Sequence, residues 1–136
     1  MGFLDLFSSD FKKAIPALAK ENDWKLKDIS DDRAVLEFET AGGRVQTLYI
    51  IKFANTLEFS VPSAAVFNSV DDIPDHLATR LLQRNNELKV GFWALEEIQG
   101  KWVFSVMHNE ELNRLHSENF GKIVSTLVLE CDAFES

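Results

Sequence analysis

Hydrophobic positions at the start of the chain recur at helical spacing. Phe3, Phe7, Phe11, Ala14 or Ile15, and Leu18 fall on one stripe. Ser8, Ser9 and Asp10 are cap-forming residues, so the helix can restart there. Pro16 has no amide hydrogen and crowds the preceding turn, which predicts either a kink over residues 12–16 or a late start. Asn22-Asp23 ends the segment, and the period then changes to two. Trp24, Leu26 and Ile29 alternate imperfectly with Lys25, Lys27 and Asp28 in a short strand; Asp31-Asp32 make a turn. Leu36 and Phe38 alternate with Glu37 and Glu39, and Gly42-Gly43 supply the positive φ angles of a hairpin. In the next strand Val45, Thr47, Tyr49, Ile51 and Phe53 share one face while Leu48 and Ile50 take the other. That pattern predicts a central strand covered on both sides. Ala54-Asn55 is a second tight turn. Leu57, Phe59 and Val61 then alternate with Glu58 and Ser60 until Pro62, which lacks a ladder donor and is expected to close the strand.

A second helix follows, with Asp72 as its expected cap, Pro74 in the first turn and Asp75 at the positive end of the dipole. Its expected buried stripe is Leu77, Leu81, Leu82 and Leu88. Strands over Val90–Ile98 and Lys101–His108 are joined by Gln99-Gly100. In the last helical segment Phe120, Ile123, Val124, Leu127, Cys131 and Phe134 line one face. Asn109 and Ser117 are both plausible caps, which allows one short helix and one long one. The predicted order is α-β-β-β-β-α-β-β-α, a single α+β domain over residues 1–136. Short connections require antiparallel pairing, and helices must lie on a sheet face to bury their stripes.

Composition narrows the function classes. The net charge of -8 and pI of about 4.8 oppose binding to phosphate backbones, and no basic run is longer than Lys12-Lys13. Nucleic acid is not an expected partner. The single cysteine, Cys131, has no internal disulfide partner, which suits a reducing compartment. The first residues carry no basic n-region and place Asp5 within the apolar stretch, unlike a secretory signal. Gly2 is followed by Leu6 where a myristoylation motif wants Ser or Thr. No apolar run approaches the roughly 18–20 residues of a membrane span. A cytoplasmic protein without membrane contact is expected.

No catalytic, metal or cofactor site is expected either. His76, His108, His116 and Cys131 are scattered over three elements and meet no ligand-pair spacing. There is no nucleophile elbow, and Cys131 sits on an apolar stripe between Glu130 and Asp132, which opposes a thiolate. Carboxylates such as Asp31-Asp32 and Glu96-Glu97 read as solvated surface. Gly42-Gly43 lies between strands and not before a helix, so it makes no phosphate cradle.

Two features are less ordinary. Asn85 lies beside the apolar stripe of the second helix, where a buried amide must find partners. It can tie that helix end to the following strand, or recognise a partner's backbone. The hairpin made by Val90–Leu95 and Trp102–Met107 is apolar on both faces. One face can pack on helices; the other must be covered by a further helix, a second subunit or a client segment. Phe92, Trp93, Leu95, Trp102, Phe104 and Asn85 are therefore the candidate partner-binding residues.

At this hairpin the pattern resembles a known family. Leu81-Leu82-x-x-Asn85-x-x-Leu88-x-x-Gly91-x-Trp93-x-Leu95, a turn at Gln99-Gly100, a second strand and a long amphipathic helix are similar to the type III secretion chaperone-like superfamily, in particular its YbjN-type bacterial members. The specific part of the likeness covers residues 81–134. The resemblance implies a helix–sheet–helix–hairpin–helix domain, commonly a homodimer, with no enzyme activity. It implies protein binding through apolar sheet and helix surface, as a chaperone or regulator. Pro16 departs from the expected first helix and puts client contact there in doubt. The rival reading is a small-molecule-binding domain or an enzyme with a pocket between sheet and helices.

Overall fold

The computed structural model describes residues 3–136, with side chains from Asp10 onward. The expected parts played by Gly2 and by the side chains of Phe3, Phe7, Ser8 and Ser9 lie outside the described residues. Helix α1 (Phe3–Glu21) runs without the expected restart at Ser8–Asp10, and Pro16 sits inside it. The carbonyl deprived of the Pro16 amide belongs to Lys12, on an exposed side of the helix where water can take the donor's place. Phe11, Ile15, Leu18 and Ala19 are buried, as the stripe predicts. The helix ends in a Schellman turn. Asp23 takes φ 60°, and the Trp24 and Asp23 amides return to the carbonyls of Ala19 and Lys20 at 2.8 and 3.0 Å.

Six strands follow: β1 (Asp28–Ile29), β2 (Arg33–Glu39), β3 (Val45–Phe53), β4 (Thr56–Phe67), β5 (Phe92–Ile98) and β6 (Lys101–Glu111). They form one antiparallel sheet in the order β1-β2-β3-β4-β6-β5. The α+β class and the element order are those read from the sequence. The first strand is shorter than expected, only Asp28–Ile29. In the β2–β3 hairpin Gly43 alone has a positive φ, 80°, while Gly42 does not. The β5–β6 turn has Gln99 and Gly100 both at positive φ, the twist that joins two strands with two residues.

Strand β4 does not stop at Pro62. It runs on to Phe67, with a register shift between Pro62 and Val66. Pairing of β3 with β4 ends at Tyr49–Ser60, so the proline nitrogen faces no neighbouring strand. Beyond β4, Asp72 lies in a 3-10 turn (Val70–Asp72) capped by Ser69, and does not cap the second helix. Helix α2 (Asp75–Glu87) instead has Pro74 at its N-cap position. Leu81 is its one buried residue; Leu82, expected in the buried stripe, is 69% exposed.

Leu112–Arg114 forms the short helical turn and α3 (Ser117–Glu135) the long helix. The cap is His116, whose Nδ1 accepts from the Asn119 amide at 3.3 Å while Asn119 accepts from the His116 amide at 2.7 Å. Phe120, Ile123, Val124, Leu127 and Cys131 are buried against Leu48, Ile50, Phe59, Val61 and Val106 of the sheet. Full burial of side chains of this size is worth roughly 1.5–3 kcal/mol each. Asn22 locks α1 to α3: its Nδ2 donates to the carbonyls of Leu18 at 2.9 Å and Ser117 at 3.1 Å.

The helix-covered face carries Leu36, Leu48, Ile50, Phe59, Val61, Trp93, Phe104 and Val106. Strand β3 is central but covered on this face only. Val45 and Phe53 on its other face are 60% and 56% exposed, which corrects the two-sided expectation.

Candidate functional site: an open sheet face and a helix-lined pocket

Alternation splits the six candidate residues between two surfaces. Trp93 and Phe104 point toward the helices and are buried; Leu95 and half-buried Trp102 share that side by register. Phe67 packs edge-on against Phe104 with centroids 6.2 Å apart. Phe92 alone points to the opposite, open face. Asn85 is on neither: its Nδ2 donates to the Trp93 carbonyl at 3.1 Å, and its Oδ1 accepts from the Trp93 amide at 2.6 Å. This is the tie between helix end and strand that the sequence suggested.

A cavity of about 510 Å³ opens between α2, α3 and β5, lined among others by Leu77, Arg80, Arg84, Trp93, Glu130 and Phe134. Its charged groups largely satisfy one another. Arg84 grips Glu130 through Nε at 2.9 Å and Nη2 at 2.8 Å, and reaches Glu87 through Nη1 at 3.0 Å. The Trp93 indole donates to Glu130 at 2.9 Å and stacks, tilted, on Phe134 at 4.8 Å. The Arg84 hydrogen bonds hold the Glu130 carboxyl below its ordinary range, with help from Trp93 and against partial burial. Nothing in the sequence pairs residues 84 and 130; the docking of α2 on α3 brings them together.

The far end of α3 is bolted to the sheet. Asp132 accepts from Arg44 Nε at 2.8 Å, Thr40 Oγ1 at 2.7 Å and Gln46 Nε2 at 3.3 Å. These bonds, Arg44 first, pull its pKa down to about 2. Glu135 accepts from Gln46 and from the Ala64 amide, both at 2.6 Å, and so occupies the backbone freed by the β4 irregularity. Cys131 is buried, and burial first, then the carboxylates of Glu135, Asp132 and Glu130, push its thiol up to about 12. His76 and His116 are exposed; half-buried His108 accepts from the Gly91 amide at 3.1 Å. Among the described residues no group of His, Cys, Asp and Glu is placed to hold a metal ion, and no helix is long and apolar enough to cross a membrane.

On the open face, β-register places Val35, Tyr49, Ser60, Met107 and Phe92 in one row across five strands. Phe53, Val45, Val66 and Ile98 extend the apolar surface and are exposed. Val35, Val103 and Met107 are buried, yet stand outside the continuous core beneath the helices. They are covered by neighbours within the sheet, because no described helix lies on this side. Two carboxylates interrupt the surface. Glu96 reaches from β5 across β6 to within 3.5 Å of Ser60 Oγ on β4. Glu58 is half-buried, and its carboxyl is raised above the ordinary range by desolvation and then by Glu96. Glu96 is thus half-buried over apolar surface, not the freely solvated residue expected. The sequence signal for this face was the second apolar set on β3, with only enough helical stripes to cover one side.

The fold formed by this sheet and its helices is shared with solved chaperone–effector and YbjN structures, the architecture that the resemblance implied. Among solved structures, a chain of the HopA1–SchA chaperone–effector complex matches with TM-score 0.61 and 11% identity, covering 90% of each chain. A chain of the ExsC–ExsE complex matches with TM-score 0.59 and 10% identity, covering 98% of this chain and 94% of that one. YbjN from E. coli matches with TM-score 0.58 and 15% identity, covering 90% of this chain and 92% of its own. No family model matches the sequence, and no curated protein does.

Proposed function

We propose that this protein is a non-enzymatic, cytoplasmic protein-binding domain of chaperone-like or regulatory type, working as a homodimer. The observation that carries the reading is the open sheet face, where Phe53, Val45, Val66, Phe92 and Ile98 are exposed with no described helix over them. Apolar side chains left exposed across one face of a sheet are a candidate site of association. Two of the solved structures named above are complexes between two proteins, one of them a chaperone with its effector, which supports the same reading.

The second copy is assigned to the β5 edge. The Trp93 amide and carbonyl point outward to Asn85, so by two-residue alternation those of Leu95 and Glu97 also face away from β6. An edge with free donors and acceptors is a template for strand pairing. Exposed Leu82 on the adjacent helix α2 adds apolar area. The small-molecule alternative is weaker, because Arg84, Glu130 and Trp93 in the cavity already bond to one another.

The test joins solution mass to partner capture. A dimer should become a monomer when Leu95 is replaced by proline, while Phe53→Glu should leave the dimer intact and lose the partner. A monomeric wild-type protein whose captured partner is unaffected by Phe53→Glu would sink the reading.

A further inference from the structure

The open face raises the question of what it accepts, and the two carboxylates give the answer. Glu58 and Glu96 lie over an apolar surface, and neither has a cationic partner among the described residues. Three of the other charges on or beside this face are already engaged, while Glu39 and Lys101 have no ion-pair partner among the described residues. Arg33 stacks on the Tyr49 ring at 5.2 Å, Glu37 pairs with Lys27 at 3.0 Å, and Glu111 pairs with Arg114 at 3.5 Å. Lys101 stands at the β5–β6 turn, opposite Ile98. On the same side of the sheet by register, the Ser105 hydroxyl is fully buried with no hydrogen-bond partner, on the strand that Glu96 spans. A surface that holds two half-desolvated carboxylates and an unsatisfied hydroxyl is electrostatically incomplete.

We infer that the open face binds a partner segment carrying a lysine or arginine between apolar residues, with the cation set between Glu58 and Glu96 and the flanking side chains on Tyr49, Phe53 and Phe92. This rests on the protein-binding reading above and names the chemistry of the partner. A cation there gains a charge-assisted bond to each carboxylate and removes their mutual repulsion. A second copy of the chain does not fit the same face. Two-fold apposition of identical faces would bring two Glu58–Glu96 pairs together, four carboxylates over one apolar interface. The net charge of -8 also steers basic segments toward the molecule and copies of it apart.

The probe is a displayed library of random short peptides, selected against the purified full chain. Enriched peptides are synthesised, located by amide NMR shifts, and titrated against the wild type and the isosteric double variant Glu58→Gln/Glu96→Gln. The expected result is peptides with Lys or Arg between apolar residues, shifts centred on Tyr49, Glu58, Phe92 and Glu96, and affinity for the double variant lower by about tenfold or more. Peptides that shift the same amides but lack a basic residue, or bind both proteins equally, overturn the carboxylate inference and leave the docking face standing. Peptides that map elsewhere, a library that yields no binder, or a dimer that Phe53→Glu dissociates would overturn the docking face as well.

Discussion

Asn85 forms a two-way bridge to Trp93, donating to its carbonyl at 3.1 Å and accepting from its amide at 2.6 Å. A side-chain amide here does what a neighbouring strand would do, closing one residue of the β5 edge and fixing where α2 ends. Replacing Asn85 by alanine leaves both backbone groups of Trp93 unpaired in a half-buried setting. The expected loss is about 1–3 kcal/mol in denaturant unfolding, with faster hydrogen exchange at the Trp93 amide. Asn85→Asp keeps an acceptor but sets a carboxylate against the Trp93 carbonyl, so it should be no better than alanine. An unchanged exchange rate in Asn85→Ala would show that the bridge is not formed in solution.

Gly91 precedes β5 with φ 84°, and a Cβ there would stand 2.6 Å from Leu127 Cδ2 on α3 and 3.3 Å from the Met107 carbonyl. Gly91→Ala combines left-handed strain with a collision against the core helix. Those two costs come to roughly 2–5 kcal/mol together. Gly43 has a similar φ, 80°, but nothing within 4 Å, so Gly43→Ala should show the strain alone, about 1–2 kcal/mol. Equal losses at the two sites in thermal unfolding would mean that α3 shifts away and the close approach is unimportant.

The element order was legible because each period change is long and is punctuated by a turn residue, as at Gly43 or Gln99-Gly100. Faces were harder to read. Alternation tells which residues share a side of β3, but whether that side is covered depends on where distant helices dock, and all of them chose the Leu48–Ile50 side. Leu82 looked like core because it neighbours Leu81, yet α2 touches the body along a narrow line that buries Leu81, partly covers Leu77 and Leu88, and leaves Leu82 outside. Pro62 looked like an end because the loss of β3 as a neighbour on that side is a tertiary fact. In the site, Asn85 could be picked out as an amide beside an apolar stripe. The pairing of Glu58 with Glu96 had no sequence signal, since 38 residues and two strand crossings separate them.

Three groups shape the acid limb of stability: Asp132 and Glu130, both lowered in the folded chain, at its low end, and His108 at its upper end. Asp132 titrates near 2 when folded, below its unfolded value, so its contribution is complete above about pH 4. It is lost as the pH falls toward 2. His108 is lowered by burial, against the opposing pull of Glu110, and its Nδ1 must stay unprotonated to accept from Gly91. The unfolded chain takes up that proton first, so this contribution is present above about pH 6.5 and declines below it. Denaturant midpoints measured from pH 8 to 2 should therefore fall in two stages. Asp132→Asn should be less stable than wild type at pH 7 and keep only the part of the lower stage that Glu130 supplies, and His108→Gln should flatten the upper one. A midpoint in His108→Gln that still falls between pH 7 and 5 as in wild type would assign the upper stage to another group.

Phe92 and Trp93 are adjacent in sequence and opposite in consequence. Trp93 is 5% exposed, bonded to Glu130 and stacked on Phe134, whereas Phe92 is 36% exposed on the open face. Trp93→Glu places a second carboxylate against Glu130 inside the α2–α3–β5 junction and removes the ring that fills it. It should cost more than about 3 kcal/mol and yield a protein that is largely unfolded or aggregated. Phe92→Glu replaces a partly solvated ring on one side of a strand, and should cost about 1 kcal/mol or less while abolishing partner binding at that face. Circular dichroism melts separate the two effects before any binding is measured. A folded Trp93→Glu protein would mean that the indole does not occupy the junction. An unfolded Phe92→Glu protein would mean that the open face is core, covered by something in the folded chain.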